Sequence, residues 1–280
     1  MALAKRVAAL AVPLGLVVGG VAYGVSQHGS APDDTLGACT TEVGRLTVIL
    51  TGGQARNATL ISAIAVRRGM PAHAATIGLA TALQESKLYN LRGGDRDSLG
   101  LFQQRPSQGW GTRREILDPV RATNAFYDAL ERVPDYAALP VTVAAQRVQR
   151  SGYPSAYALY EQDARALASA MTGYSGAAFW CHVAPPDGAS TPLVRRARQL
   201  RRSLLRALGP TPVRVVPGGA LEVPVSSPES GWTLSAYVVS HSQQLGISRV
   251  TYRGRTWTAG DDAGWRHAAG AGTDAAVRIN

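Results

Sequence analysis

The chain has 280 residues, a formal net charge of +10 from 29 Lys and Arg against 19 Asp and Glu, 45% hydrophobic residues and 17% charged residues. This composition excludes a disordered chain and a protein with several membrane spans, and it fits one or two globular domains. Basic proteins bind nucleic acid, anionic lipid or acidic polymers such as a cell wall, so charge alone selects no partner.

The N-terminal segment predicts export. Lys5 and Arg6 precede an uncharged stretch at 7–25, which as a helix would extend about 28 Å, close to the thickness of the bilayer interior. The preceding positive charge places the rest of the chain outside. We predict a single-pass anchor over 1–25, N-in and C-out; the alternative is a cleaved signal peptide and a secreted protein. Export disfavours a nucleic-acid partner.

Cys39 and Cys181 are the only cysteines. In an oxidising compartment an even number of cysteines pairs, so we predict a disulfide that makes residues 39–181 one unit. Two buried free thiols are the alternative. The five histidines show no i,i+4 pair and there is no C-x-x-C motif, so neither a metal site nor a cofactor is expected.

Residues 26–38 are small and polar, which predicts a linker. Apolar spacing and helix-opening prolines then predict an almost all-α domain over 39–181. Its predicted helices lie at 54–68, 72–88, 119–132, 140–150 and 154–171. The segment 90–111 is glycine-rich and aperiodic, which indicates a long functional loop.

Residues 182–217 form a second predicted linker, which contains an amphipathic helix at 193–208 with six arginines and no acidic residue. This helix either packs between domains with a solvated basic face, or contacts an anionic wall polymer or membrane surface. Short β-rich runs around one helix near 234–245 predict a small α+β domain over 218–280. The predicted fold class is therefore α+β: a membrane helix, an all-α domain and a small C-terminal α+β domain.

Glu85 is the main catalytic candidate. It lies near the end of a predicted helix whose preceding residues, 74–83, carry no charge. Apolar surroundings and the negative end of the helix dipole both raise the pKa of a carboxyl group. A carboxyl group that stays protonated near neutral pH can donate its proton to a glycosidic oxygen.

The residues around Glu85 also form a motif. Gln84-Glu85-Ser86 is followed by Ser98, Gly100, Gln103 and Pro106. Over about residues 45–175 the chain resembles the lysozyme-like superfamily, in its soluble lytic transglycosylase and goose-type lysozyme branch. The resemblance implies a lysozyme-like fold and an enzyme that cleaves the glycan strand of peptidoglycan. Peptidoglycan is therefore the expected partner. The alternative is a non-catalytic peptidoglycan-binding or wall-scaffold protein that keeps the cleft.

The resemblance implies that Glu85 acts first as general acid and then as base. The family's AYN-type motif is not plainly written after residue 140, so the far wall of the cleft is less defined than Glu85. The implied substrate-binding residues are Ser86, Ser98, Gln103, Gln104, Gln146, Ser151 and Tyr153, with Arg150 and Tyr174 as further candidates for that wall.

A second carboxylate would come from Asp95 or Asp97. Across a gap of about 6.5–9.5 Å from Glu85 it would activate water for inverting hydrolysis. Otherwise the acetamide of the substrate would assist and the product would be an anhydro sugar, as in the transglycosylases. Aspartates in loops are also common turn residues, and the sequence leaves these alternatives open.

The C-terminal stretch 231–258 resembles a module of exported wall proteins related to D-Ala-D-Ala zinc carboxypeptidases. That module ends in a metal-binding H-V-H, whose histidines are replaced here by Ala276 and Arg278. A zinc site without its imidazoles does not activate water. We therefore predict a non-catalytic wall-binding or spacer domain.

Overall fold

A computed structural model describes residues 37–186, 192–268 and 274–280. The predicted membrane segment at 1–25 and nearly all of the first predicted linker lie outside these residues. Within the described ranges, no helix has both the length and the apolar character needed to cross a bilayer. The described residues form an α+β fold with helices and two antiparallel sheets.

A three-stranded antiparallel sheet corrects the almost all-α prediction for residues 39–181. It consists of β1 (Ala38–Val43), β2 (Leu46–Thr51) and β3 (Phe179–His182) in the order β2-β1-β3. Burial alternates along β2, as in a strand with one face on the core. The third strand joins from far along the chain, so its pairing has no local sequence signal.

The predicted disulfide is present. Cys39 in β1 and Cys181 in β3 face each other in register, and their sulfurs are bonded. Both residues are buried, and none of the cysteines in the described chain is a free thiol. The bridge therefore joins β1, the first strand of this sheet along the chain, to β3, the last one. It closes the helical domain that lies between them in the sequence.

The helices of this domain follow the predicted order. Their bounds are α1 (Gly52–Arg67), α2 (Ala72–Ser86), α3 (Arg113–Ile116), α4 (Pro119–Glu131), α5 (Val141–Gln149) and α6 (Glu161–Met171). The helix predicted over 154–171 instead starts with a 3-10 turn at Ala156–Tyr160, and a second such turn lies at Pro106–Gln108 within the glycine-rich loop.

Helix α2 runs through the centre of the domain and packs against α1, α4, α5 and α6. Residues 74–83 are all buried, which explains why no charge interrupts them. The helix ends at Lys87, which is in the left-handed conformation. The backbone oxygens of Lys87 and Leu88 accept hydrogen bonds from Gln54 and Asn57 of α1 at 2.8 and 2.7 Å. These contacts fix the last turn of α2, which carries Glu85.

The C-terminal unit combines helices with an antiparallel sheet, and this sheet begins within the segment 182–217 that was predicted to be a linker. The elements of this unit are β4 (Arg214–Val216), β5 (Ala220–Pro224), α8 (Pro228–Ser240), α9 (Ser242–Leu245), β6 (Arg249–Tyr252), β7 (Arg255–Thr258), β8 (Trp265–His267) and β9 (Ala276–Ile279). The strands form one antiparallel sheet in the order β4-β5-β9-β6-β7-β8.

The C-terminal unit packs directly on the helical domain through α8, which contacts α1, α6 and β3. Trp257 donates its indole N–H to the backbone oxygen of Cys181 at 2.9 Å, and Trp265 donates to that of Phe179 at 2.7 Å. One hydrophobic cluster spans both units. The C-terminal unit therefore completes the core of the helical domain.

The arginine-rich helix α7 (Leu193–Ala207) is amphipathic, as predicted. Ala197, Leu200, Leu204 and Ala207 are buried, and the helix contacts α1 and α9. Near its end, Arg206 forms an ion pair with Asp118, the N-cap of α4, at 2.7 Å. One face of α7 thus packs on the fold, and the opposite face remains at the surface.

Candidate active site

Glu85 lies in the last turn of α2 with a half-buried carboxyl group. The Tyr157 hydroxyl, from the 3-10 turn before α6, donates to Glu85 Oε1 at 2.7 Å. The side chain of Gln149, at the end of α5, also hydrogen-bonds this carboxyl group. Among the described residues, no Lys, Arg or His forms a salt bridge with Glu85. Neutral donors therefore hold the carboxyl group.

Burial raises the pKa of Glu85, and this effect outweighs the hydrogen bonds from Tyr157 and Gln149 and the charge of Arg105, which lower it. The direction agrees with the expectation from the apolar helix. Burial and the nearby Glu85 charge also raise the pKa of the Tyr157 hydroxyl. Tyr157 therefore stays protonated and remains a donor whatever the charge on Glu85.

The glycine-rich loop folds against the end of α2. Ser86, predicted to bind substrate, is buried, and its hydroxyl donates to the backbone oxygens of Ala82 and Leu101 at 3.0 and 2.7 Å. Gly100 has φ +76°, and a Cβ there would lie 2.7 Å from the backbone oxygen of Ile116. Only glycine fits this position, so the glycine of the motif is needed for loop packing.

Arg105 organises the outer part of this loop. Its Nε donates to Ser98 Oγ at 2.8 Å, and its Nη2 donates to Asp95 Oδ2 at 2.8 Å. Asp97 accepts from the backbone N–H and the hydroxyl of Ser107 at 2.9 and 3.0 Å, which holds the pKa of Asp97 below its usual range. Both candidates for the second carboxylate are thus engaged within the loop.

The two glutamines of the motif point in different directions. Gln104 is buried, with Nε2 donating to the backbone oxygen of Ala122 at 3.2 Å. Gln103 is half-buried and packs on Gly94, where a Cβ would lie 1.8 Å from Gln103 Oε1. Of this pair, only Gln103 has a side chain partly at the surface.

The residues predicted to form the far wall of the cleft lie in and beside the loop that precedes Tyr157. Gln146 Nε2 donates to the backbone oxygen of Ser151 at 2.8 Å, and Ser151 Oγ accepts the backbone N–H of Tyr153 at 3.2 Å. The Ser151 side chain also hydrogen-bonds Tyr157. Arg150 ends α5 in the left-handed conformation. These residues shape the loop that brings Tyr157 to Glu85.

Tyr174 is not part of this arrangement. It lines a surface cavity of about 240 Å³ with Ala72 and His73, at the start of α2. At a rise of 1.5 Å per residue, Glu85 lies about 18 Å farther along the axis of α2 than His73. The prediction that Tyr174 belongs to the far wall was therefore wrong. The tyrosine next to Glu85 is Tyr157.

Sequence reasoning missed Tyr157 and Gln149. Ala156-Tyr157-Ala158 matches only the first two residues of the AYN-type motif, which we described as not plainly written after residue 140. Gln149 also donates to the backbone oxygen of Phe102 at 2.8 Å. It therefore ties the glycine-rich loop to α5 as well as holding Glu85.

We expect Glu85→Gln to stabilise the fold increasingly as pH rises from about 4 to 7, because the raised pKa of Glu85 makes its ionisation unfavourable in the folded state. Below the unfolded-state pKa both side chains are neutral and the difference should be smallest. Thermal unfolding across this range measures it.

Glu115→Gln is the control, and its effect on stability should have the opposite sign. Hydrogen bonds from Thr112 and the charges of Arg121 and Arg114 lower the pKa of Glu115. Its substitution should cost stability near neutral pH and much less in acid. If the stability difference between Glu85→Gln and the wild type were the same at every pH, the raised pKa of Glu85 would be contradicted.

Comparison with known proteins bears on the C-terminal unit alone. A family model described as "VldE, C-terminal domain" matches residues 216–278, from the end of β4 into β9. The match is under a quarter of the chain and does not include Glu85. No curated protein matches the chain.

Proposed function

We propose that this protein is an exported enzyme that cleaves the glycan strand of peptidoglycan, with Glu85 as general acid and then base. The observation that carries the proposal is the half-buried Glu85 carboxyl group, held by Tyr157 and Gln149 at the end of an apolar helix. A carboxylate paired with a cation stays ionised, whereas one held by neutral donors in an apolar site can carry a proton near neutral pH.

Glu85 would transfer its proton to the glycosidic oxygen as the C1–O bond of N-acetylmuramic acid breaks. This leaves a carboxylate, and the hydrogen bonds from Tyr157 and Gln149 stabilise it. The same contacts fix the orientation of the carboxyl group before the reaction. Tyr157 and Gln149 are thus positioning residues in this proposal.

The loop contacts favour the transglycosylase route. Asp95 is paired with Arg105 and Asp97 caps Ser107, so neither carboxylate is held ready to activate water. In the proposed route the substrate's acetamide oxygen attacks C1. The C6 hydroxyl then attacks C1 and gives its proton to Glu85, which releases an anhydro sugar and regenerates the acid.

The products distinguish the two routes. Digestion of purified peptidoglycan by the full chain in heavy-oxygen water should give unlabelled anhydro-muropeptides, lighter by one water than hydrolysis products. Labelled reducing ends would support hydrolysis instead, and would return Asp95 or Asp97 to the role of base.

We expect Tyr157→Phe to lower kcat about 10- to 100-fold, because it removes a hydrogen bond to a carboxylate, a contact worth roughly 1.5–3 kcal/mol. Loss of this donor also raises the pKa of Glu85 further, so the alkaline limb of the pH–rate profile should move to higher pH. Tyr174→Phe, at the other end of α2, is the matched control. An unchanged pH profile in Tyr157→Phe would show that the hydrogen bond has no part in catalysis.

We also propose that the apolar segment at 7–25 directs the protein out of the cell, as a retained anchor or a cleaved signal, so that the enzyme works at the wall. The C-terminal unit then acts as structural support for the helical domain. The support for this role is the pair of indole hydrogen bonds from Trp257 and Trp265 to β3.

A further inference from the structure

The outward face of α7 carries positive charge together with exposed aliphatic side chains. Val194 is 69% exposed and Leu205 is 55% exposed. They lie on one stripe of the helix, about 17 Å apart along its axis. Arg198 and Arg201 lie between them on this stripe at helical spacing. We call this stripe, with the exposed Arg195 and Arg202 beside it, the α7 face.

The charge of the α7 face is not neutralised within the part of the chain that the structure describes. Helix α7 contains no acidic residue. Arg206 pairs with Asp118, and Arg201 donates to the backbone oxygen of Val213 at 2.6 Å. Among the described residues, no carboxylate pairs with the exposed side chains of Arg195, Arg198 or Arg202, which share the face with Val194 and Leu205.

From this geometry we propose that the α7 face docks on an anionic lipid surface. The arginines would bind lipid headgroups, and Val194 and Leu205 would enter the boundary with the acyl chains. A hydrophilic acidic polymer would satisfy the arginines but would gain nothing from two exposed aliphatic side chains. The buried side of α7 packs on the fold, so the helix presents its cationic side without unfolding. The proposal does not depend on the catalytic role of Glu85.

The test uses the full chain reconstituted in vesicles. Both native cysteines are in the disulfide, so Gln199→Cys, at an exposed position between Arg195 and Arg202, gives one site for a fluorophore. Quenchers attached to the lipid should quench it in phosphatidylglycerol vesicles at low salt. Quenching should be lost in phosphatidylcholine vesicles and in high salt. A fluorophore at the exposed Gln108 is the control and should be unaffected by lipid type.

Two variants separate charge from apolar contact. Replacing Arg195, Arg198 and Arg202 together by Gln should weaken docking on the order of 100-fold. Leu205→Ser should weaken it with all charges kept. Equal quenching in both vesicle types would overturn the proposal. The proposal would also be overturned if lipid gave no quenching while the protein bound purified anionic wall polymer, and if that binding required the arginines but was unchanged by Leu205→Ser. Thermal unfolding verifies that each variant is folded.

Discussion

Glu85→Gln in the full chain should reduce the release of soluble muropeptides from purified peptidoglycan by about 100- to 10,000-fold, the usual contribution of a general acid. Glutamine has nearly the same shape and keeps an oxygen that accepts from Tyr157, so the fold and the binding of the polymer should be preserved. Mass analysis of released fragments measures the first effect, and co-sedimentation with insoluble peptidoglycan measures the second.

The matched control is Glu161→Gln. Glu161 is at the start of α6, where it forms an ion pair with Arg165 four residues later. Its substitution should leave the rate of release unchanged. Equal release by wild type and Glu85→Gln would exclude Glu85 as the acid. If the wild type binds the polymer and releases nothing, the protein is the non-catalytic binding protein that the sequence left as an alternative.

Replacing Cys39 and Cys181 together by alanine should cost about 4–5 kcal/mol of unfolding free energy in the chain-entropy model, because the bridge closes a loop with a sequence separation of 142. For a chain of this size, that loss lowers the melting temperature on the order of 10 °C. Thermal unfolding without reductant measures the effect.

Reductant supplies the internal control for the disulfide. It should lower the melting temperature of the wild type toward that of the double variant and leave the variant unchanged. A wild type whose melting temperature is insensitive to complete reduction would show that the sheet alone holds β1 to β3.

The helices were predictable because their signals are local. Apolar spacing and proline positions located α2 and α4 within two residues of their ends. The 3-10 turn at Ala156–Tyr160 was missed because the proline signal at 154 marks where the chain turns without fixing the type of helix that follows. Strand β3 was missed because its partner, β1, lies about 140 residues earlier in the chain.

Only those residues of the candidate site that lie close to one another in the sequence could be predicted. Glu85 could be identified from the uncharged helix before it and the motif after it. Tyr157 comes from 72 residues farther along the chain, so its approach depends on how α5 and α6 pack. The same limit applies to Ser86 and Gln104, whose positions in the motif indicate substrate contact while the fold places both side chains in the interior.

From the indole hydrogen bonds to β3 we also expect an order of events during synthesis. One edge of β3 pairs with β1, and the backbone oxygens of Phe179 and Cys181 accept from Trp265 and Trp257. Until those tryptophans are made, these oxygens lack their protein donors and the strand has an open edge, a template for aggregation. We expect the first domain to finish folding only when the last quarter of the chain has arrived, and a chain shortened before Trp257 to aggregate.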